Sequence, residues 1–144
     1  MSWQMRVGAL LGAASIGTGA YGAHLFPQAI AAEESAAASK TTSQPPPTDV
    51  TTTNNETLPT LHWRKNVWST AVQYQQLGAV SLMASTAHPS PRARMVGGVG
   101  ILLGTALFSG ANYAVAKSGS RNLGGVAPVG GLSLIAGFAA LVFL

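Results

Sequence analysis

Four long apolar runs alternate with short polar breaks along this chain: Val7 to Leu25, Trp68 to Ala87, Met95 to Ala116 and Val126 to Leu144. Each approaches the ~20 residues a helix needs to cross the hydrocarbon core of a bilayer. None shows the in–out alternation, in segments of about ten residues, that marks a membrane β-barrel strand. The pattern predicts an all-α membrane protein: four transmembrane helices in a bundle, with spans at about 7–25, 68–87, 95–116 and 126–144 of a single domain over residues 1–144. Pro27 follows the first run, and His88-Pro89-Ser90-Pro91 closes the second, because prolines end a helix. Lys117-Ser118-Gly119-Ser120-Arg121 separates the third from the fourth. The second run is the least apolar, with Gln73, Gln75 and Gln76, whose amides are expected to face other helices.

Between the first two runs lies a long segment, 26–66, with Pro45-Pro46-Pro47, a threonine cluster at Thr51 to Thr53 and an alanine-rich stretch from Ala29 to Ala38. Its composition predicts a Pro/Thr-rich loop, extended around the prolines. Ala29 to Ser39 has the makings of a short interfacial helix inside it. A loop of this kind is expected to be held by neighbouring proteins. The first thirty residues also resemble a secretory signal peptide, with Arg6, an apolar stretch and a cleavage-like Ala29-Ile30-Ala31, but the apolar stretch is long for a signal.

Charge sharpens the membrane reading. Only 8% of the residues are charged, against about 25% in a water-soluble domain. All four acids, Glu33, Glu34, Asp49 and Glu56, fall in the long loop. The basic residues Arg6, Lys40, Arg64, Lys65, Arg92, Arg94, Lys117 and Arg121 lie outside the apolar runs, mostly beside their ends, where cationic side chains meet lipid headgroups. An even number of spans puts Arg6, Arg92 and Arg94 on one side and Arg64, Lys65, Lys117 and Arg121 on the other, which leaves the positive-inside rule undecided. The basic balance is not paired with any nucleic-acid recognition motif. The absence of cysteine excludes disulfides, iron–sulfur ligation and thiol nucleophiles.

Chemistry-bearing residues are sparse. Four spans place His24 and His62 toward one face and His88 toward the other, so a three-histidine metal site is not expected, and neither is a cofactor. His24 is expected to end the first span with its ring at the interface. No span has an acid or a Lys/Arg at its centre, where pumps and ion-coupled transporters keep theirs. The mid-span amides are Gln73, Gln76 and Asn112; Gln73 and Gln76 stand three apart on one helix face. They are expected to bond between helices, or with Tyr74 to line a polar pocket for a quinone or lipid headgroup. Trp68 belongs to an aromatic belt, and Arg64 and Lys65 to the headgroup level. Gly8-xxx-Gly12 and Gly100-xxx-Gly104 allow close backbone approach between spans.

Several ordered fragments resemble the transmembrane protein 256-like family, domain of unknown function 423. They are Gly22-Ala23-His24, Trp68-Ser69-Thr70-Ala71-Val72-Gln73-Tyr74-Gln75, Leu107-Phe108-Ser109-Gly110 with Tyr113, and Leu123-Gly124 followed by Pro128-Val129-Gly130-Gly131. Two departures stand out: Gly78 occupies a place where the family usually has a histidine, and the first loop is longer than usual. The resemblance implies a four-helix membrane bundle and no established activity. It is compatible with the mitochondrial inner membrane, the alternative being a bacterial-type plasma membrane. The function expected is a non-catalytic accessory subunit of a mitochondrial inner-membrane complex, such as a respiratory-chain complex or supercomplex. Its partners would be the other subunits and membrane lipids such as cardiolipin. The competing expectation is a lipid- or quinone-binding protein, or a transporter component, with a polar intramembrane pocket.

Overall fold

The computed structural model describes residues 2–41, 57–119 and 125–144, and among these every regular element is helical. The elements are α1 (Trp3–His24), α2 (Phe26–Thr41), α3 (Thr57–Ala84), a 3-10 turn at Ser85–Ala87, α4 (Pro91–Ser118) and α5 (Val126–Phe143). Capping follows the sequence. Ser2 accepts a hydrogen bond from the Met5 N–H at the start of α1. Ser90 does the same for Ala93 in front of α4, with Pro91 in the first turn, where its missing N–H costs nothing. Gly119 ends α4 in the left-handed region at φ 68°, where a side chain would be strained, and its N–H donates to the Val115 carbonyl.

The linker expected over 26–66 is helical at both described ends. Phe26–Thr41 forms α2, longer than the Ala29 to Ser39 piece, and Thr57 to Asn66 forms the first turns of α3. The Pro45-Pro46-Pro47 and Thr51 to Thr53 portion lies outside the described residues. Alanines and glutamates give α2 its propensity. Pro27 explains why α1 and α2 are two helices rather than one: it cannot donate to the Ala23 carbonyl, so the chain kinks. The kink is slight in the backbone, since Leu25 keeps helical angles, its N–H reaches Tyr21 O and its carbonyl receives Ala29 N–H. On α2, Phe26 and Ile30 turn inward and pack on Val67, Trp68 and Ala116.

The four longer helices pack in a consistent register. α1 runs antiparallel to α3, with Gly8 against Met83, Gly12 against Ala79, Gly19 against Val72 and Gly22 against Trp68. α3 runs antiparallel to α4, with Gly78 against Thr105 and Leu82 near Gly98. α4 runs antiparallel to α5, with Gly97 facing Gly137 and Leu141, and Gly104 facing Gly130 and Leu134. The Gly100 and Gly104 pair thus admits α5, and Gly8 admits α3, at backbone distance. Leu82, Ile101 and Leu134 form the apolar centre, joined by Val7, Leu11 and Phe138. α4 and α5 are each long and apolar enough to cross a membrane. The outward face of α5 is apolar, with Leu132, Ile135 and Val142 all more than half exposed.

Candidate functional site

The polar side chains that meet inside the fold form one relay across α1, α3 and α4. Gln75 is buried on α3; its Nε2 donates to the Leu11 carbonyl of α1 at 3.1 Å. Its Oε1 accepts from the Tyr113 hydroxyl of α4 at 2.7 Å. Tyr113 Oη lies 3.0 Å from Thr18 Oγ1 of α1. Tyr113 spends its single proton on Gln75, so the Thr18 hydroxyl, whose one proton also faces the Ser15 carbonyl at 3.1 Å, is the donor that Tyr113 shares with that carbonyl. Trp68 closes the set from about two turns earlier on α3, its Nε1 donating to the Thr18 carbonyl at 2.9 Å. Thr18, Gln75, Tyr113 and Trp68 are therefore committed to one another and to backbone carbonyls.

Trp68 is also the hub of an aromatic cluster. Its ring stacks on Phe26 at 4.7 Å and meets Tyr113 at 4.7 Å and Tyr21 at 5.4 Å, joining α2, α4 and α1. Gly22 makes this possible, because a Cβ there would sit 2.3 Å from the indole. Trp68 is half-buried between helices, held there by the Thr18 carbonyl and three neighbouring rings.

Arg64 likewise packs between helices. It is buried on α3, where its Nε donates to the Ala116 carbonyl at 2.8 Å and its Nη2 donates to the Lys117 carbonyl. These are carbonyls of α4's last turn, which the helix itself leaves without donors. The cation also sits at the negative end of that helix dipole and 5.8 Å from the centre of the Phe26 ring. Glu33 on α2 approaches Nη2 at 3.5 Å, but its side chain is 71% exposed and adds little. Arg64 thus locks α2, α3 and α4 together at one end.

The remaining predicted residues do not converge. Gln73 and Gln76 face outward, so the helix-bonding amide of α3 is Gln75, between them in sequence and on the opposite face. Asn112 Nδ2 bonds within α4, to the Phe108 carbonyl at 2.9 Å. Tyr74 lies 4.3 Å from the Phe108 ring and is 38% exposed. Gln73, Tyr74, Gln76 and Asn112 therefore do not enclose a common pocket. His24, at the end of α1, His62 and Lys65 are exposed. His88 Nδ1 accepts from the Ser90 N–H at 3.2 Å. Among the described residues no three His, Asp or Glu side chains come together as a metal-binding group. A cleft of about 380 Å³ opens between α1 and α3, lined by Gly19, Gly22, Ala23, Lys65, Trp68, Ser69 and Val72.

Gln75 had a readable signal. Ala71, Gln75, Gly78, Ala79 and Leu82 recur at helical spacing and form the buried stripe of α3. Gln75 lies on that stripe; Gln73 and Gln76 lie off it. Tyr113 and Thr18 offered no comparable pattern, since their meeting depends on how α1 and α4 are set side by side.

An all-α protein with an apolar outward face on α5, close glycine seams and a polar relay joining its helices has the character of a membrane protein, and its relatives are of that class. Residues 48–131 match the family model described as "Protein of unknown function (DUF423)". The chain belongs to this family. It is similar over nearly its whole length to a UPF0382 membrane protein of Staphylococcus haemolyticus, 30% identical over 139 residues that cover 94% of this chain and 88% of the relative. A UPF0382 membrane protein of Staphylococcus saprophyticus is 28% identical over 138 residues, covering 94% and 90%. No solved structure matches the chain.

Proposed function

We propose that all four long helices cross the membrane as a bundle and that the protein is a non-catalytic structural subunit of a larger membrane assembly. Its work is packing. One observation carries this reading: the polar groups brought together inside, Thr18, Gln75, Tyr113 and Trp68, spend their hydrogen bonds on joining helices. A substrate would have to break that network to reach them. α2, docked on the rest through Phe26, Ile30 and Arg64, would itself lie at one membrane face, where other subunits would meet it. The bacterial relatives favour a bacterial-type plasma membrane as the setting. A respiratory complex of the mitochondrial inner membrane is the finer reading that the resemblance and the long first loop suggest.

A second reading has its own support. The α1–α3 cleft combines an exposed lysine, Lys65, with the small residues Gly19, Gly22 and Ala23 and the edge of Trp68. A cation above an apolar groove suits the phosphate and first acyl carbons of an anionic lipid such as cardiolipin. Gentle extraction followed by native electrophoresis separates the two. Comigration of the chain with a large complex supports the subunit reading. Migration as a free species carrying copurified anionic lipid supports the second and counts against the first.

A further inference from the structure

α3 carries a second polar stripe that the fold leaves outside. His62, Asn66, Ser69, Gln73 and Gln76, continued by Val80, recur at alternate spacings of four and three, so they share one face, and all are exposed. The inference rests on the four-span reading above, which fixes their depth. Gly12, near the middle of α1, lies against Ala79. At about 1.5 Å per residue, Gln76 is within about one turn of the bilayer midplane and Gln73 within about two. Two primary amides there hold four N–H donors and two carbonyl oxygens toward hydrocarbon, which can satisfy none of them. The outward face of α5, with Leu132, Ile135 and Val142, shows what a lipid-facing surface of this protein looks like.

We propose that this stripe is the interface with a second copy of the same chain. An amide is donor and acceptor at once, so another amide satisfies it fully. The stripe has no acidic, lysine or arginine side chain between Asn66 and Val80, so a partner bringing charge would leave that charge unpaired in lipid. Copies inserted in the same sense meet about a two-fold axis along the membrane normal, and the same patch then faces itself. That axis brings Gln73 and Gln76 against their own counterparts, with Ser69 and Val80 flanking them. α2 and the segment after it stay free for other subunits.

The chain has no cysteine, so any cysteine introduced is unique. Ser69→Cys and Val80→Cys are placed separately in the full chain and treated in native membranes with copper-phenanthroline. Both should give a disulfide-linked species of twice the chain mass, and Ile135→Cys on α5 should not. Adding Gln73→Leu and Gln76→Leu should lower the yield about tenfold, since the loss of two or more interhelical hydrogen bonds is worth roughly that in association. The same double substitution should leave thermal unfolding of the monomer in detergent unchanged, because both side chains are exposed on α3. The proposal is overturned by no dimer from either position, by a yield indifferent to the leucines, by equal linkage through Ile135→Cys, or by adducts to a different protein. A membrane-impermeant maleimide tells the two failures apart. Labelled Val80→Cys means that α3 is not a span; unlabelled and unlinked Val80→Cys means that the spans stand and the pairing does not.

Discussion

The guanidinium of Arg64 ends α4 from outside that helix. Two carbonyls, Ala116 and Lys117, receive its N–H groups, and a fork of fixed geometry is what two neighbouring carbonyls require. Arg64→Ala should cost about 2–3 kcal/mol, the worth of hydrogen bonds from a charged donor plus the carbonyls left bare. Arg64→Lys keeps the charge but not the fork, and should recover less than half of the loss. Thermal unfolding in detergent, followed by the helical circular dichroism signal, measures both. The sequence marks Arg64 only as a cation near the end of an apolar run, because its partners are backbone atoms more than fifty positions away. Gln75 was legible in principle, lying on the stripe of small and apolar residues that α3 buries. The three-residue spacing of Gln73 and Gln76 correctly puts them on one face, but spacing alone does not say which face is inside.

Among the elements, the α4–α5 seam depends on the absence of side chains. A Cβ on Gly104 would lie 2.5 Å from the Leu134 backbone nitrogen and 2.8 Å from the Gly130 carbonyl oxygen. Backbone cannot step aside as a flexible side chain can, so Gly104→Ala must push α5 away. In lipid, helices are held by close van der Waals contact, so the separation weakens the whole seam. We expect a loss of about 1–3 kcal/mol, the usual cost of overpacking. Gly110→Ala, on the same helix with nothing within 4 Å, should be neutral or slightly stabilising. Comparing the two unfolding midpoints checks it. Helix type and the approximate places of α1, α3, α4 and α5 were legible, because apolar runs of this length have one regular solution in lipid. The helical ends of the 26–66 segment were less so. Composition reports the prolines and threonines in its middle, whereas α2 is held by Phe26 and Ile30 docking on Trp68 and Ala116, a tertiary effect.

For the molecule as a whole, the packing register ties the four long helices to one another. The start of α1 and the start of α4 meet through Gln4 and the Arg94 carbonyl, while Thr18 and Tyr113 meet further along. α1 and α4 are therefore parallel, and α3 and α5 run the other way. If α4 and α5 cross the bilayer, this arrangement carries α1 and α3 across with them. The apolar outward face of α5, the close glycine contacts and the inward polar relay are what the proposed packing role requires. Membrane character was plain in the sequence; the choice of which polar residues face inward was not, since it depends on neighbours that only the assembled fold supplies. The account rests most heavily on α1 and α3 crossing the membrane, and sidedness tests that most directly. Epitopes at the N terminus, at Thr48 and at the C terminus can be probed by protease in sealed vesicles. The account predicts that the two termini share one side and that Thr48 lies on the other; finding Thr48 on the same side as both termini would contradict it.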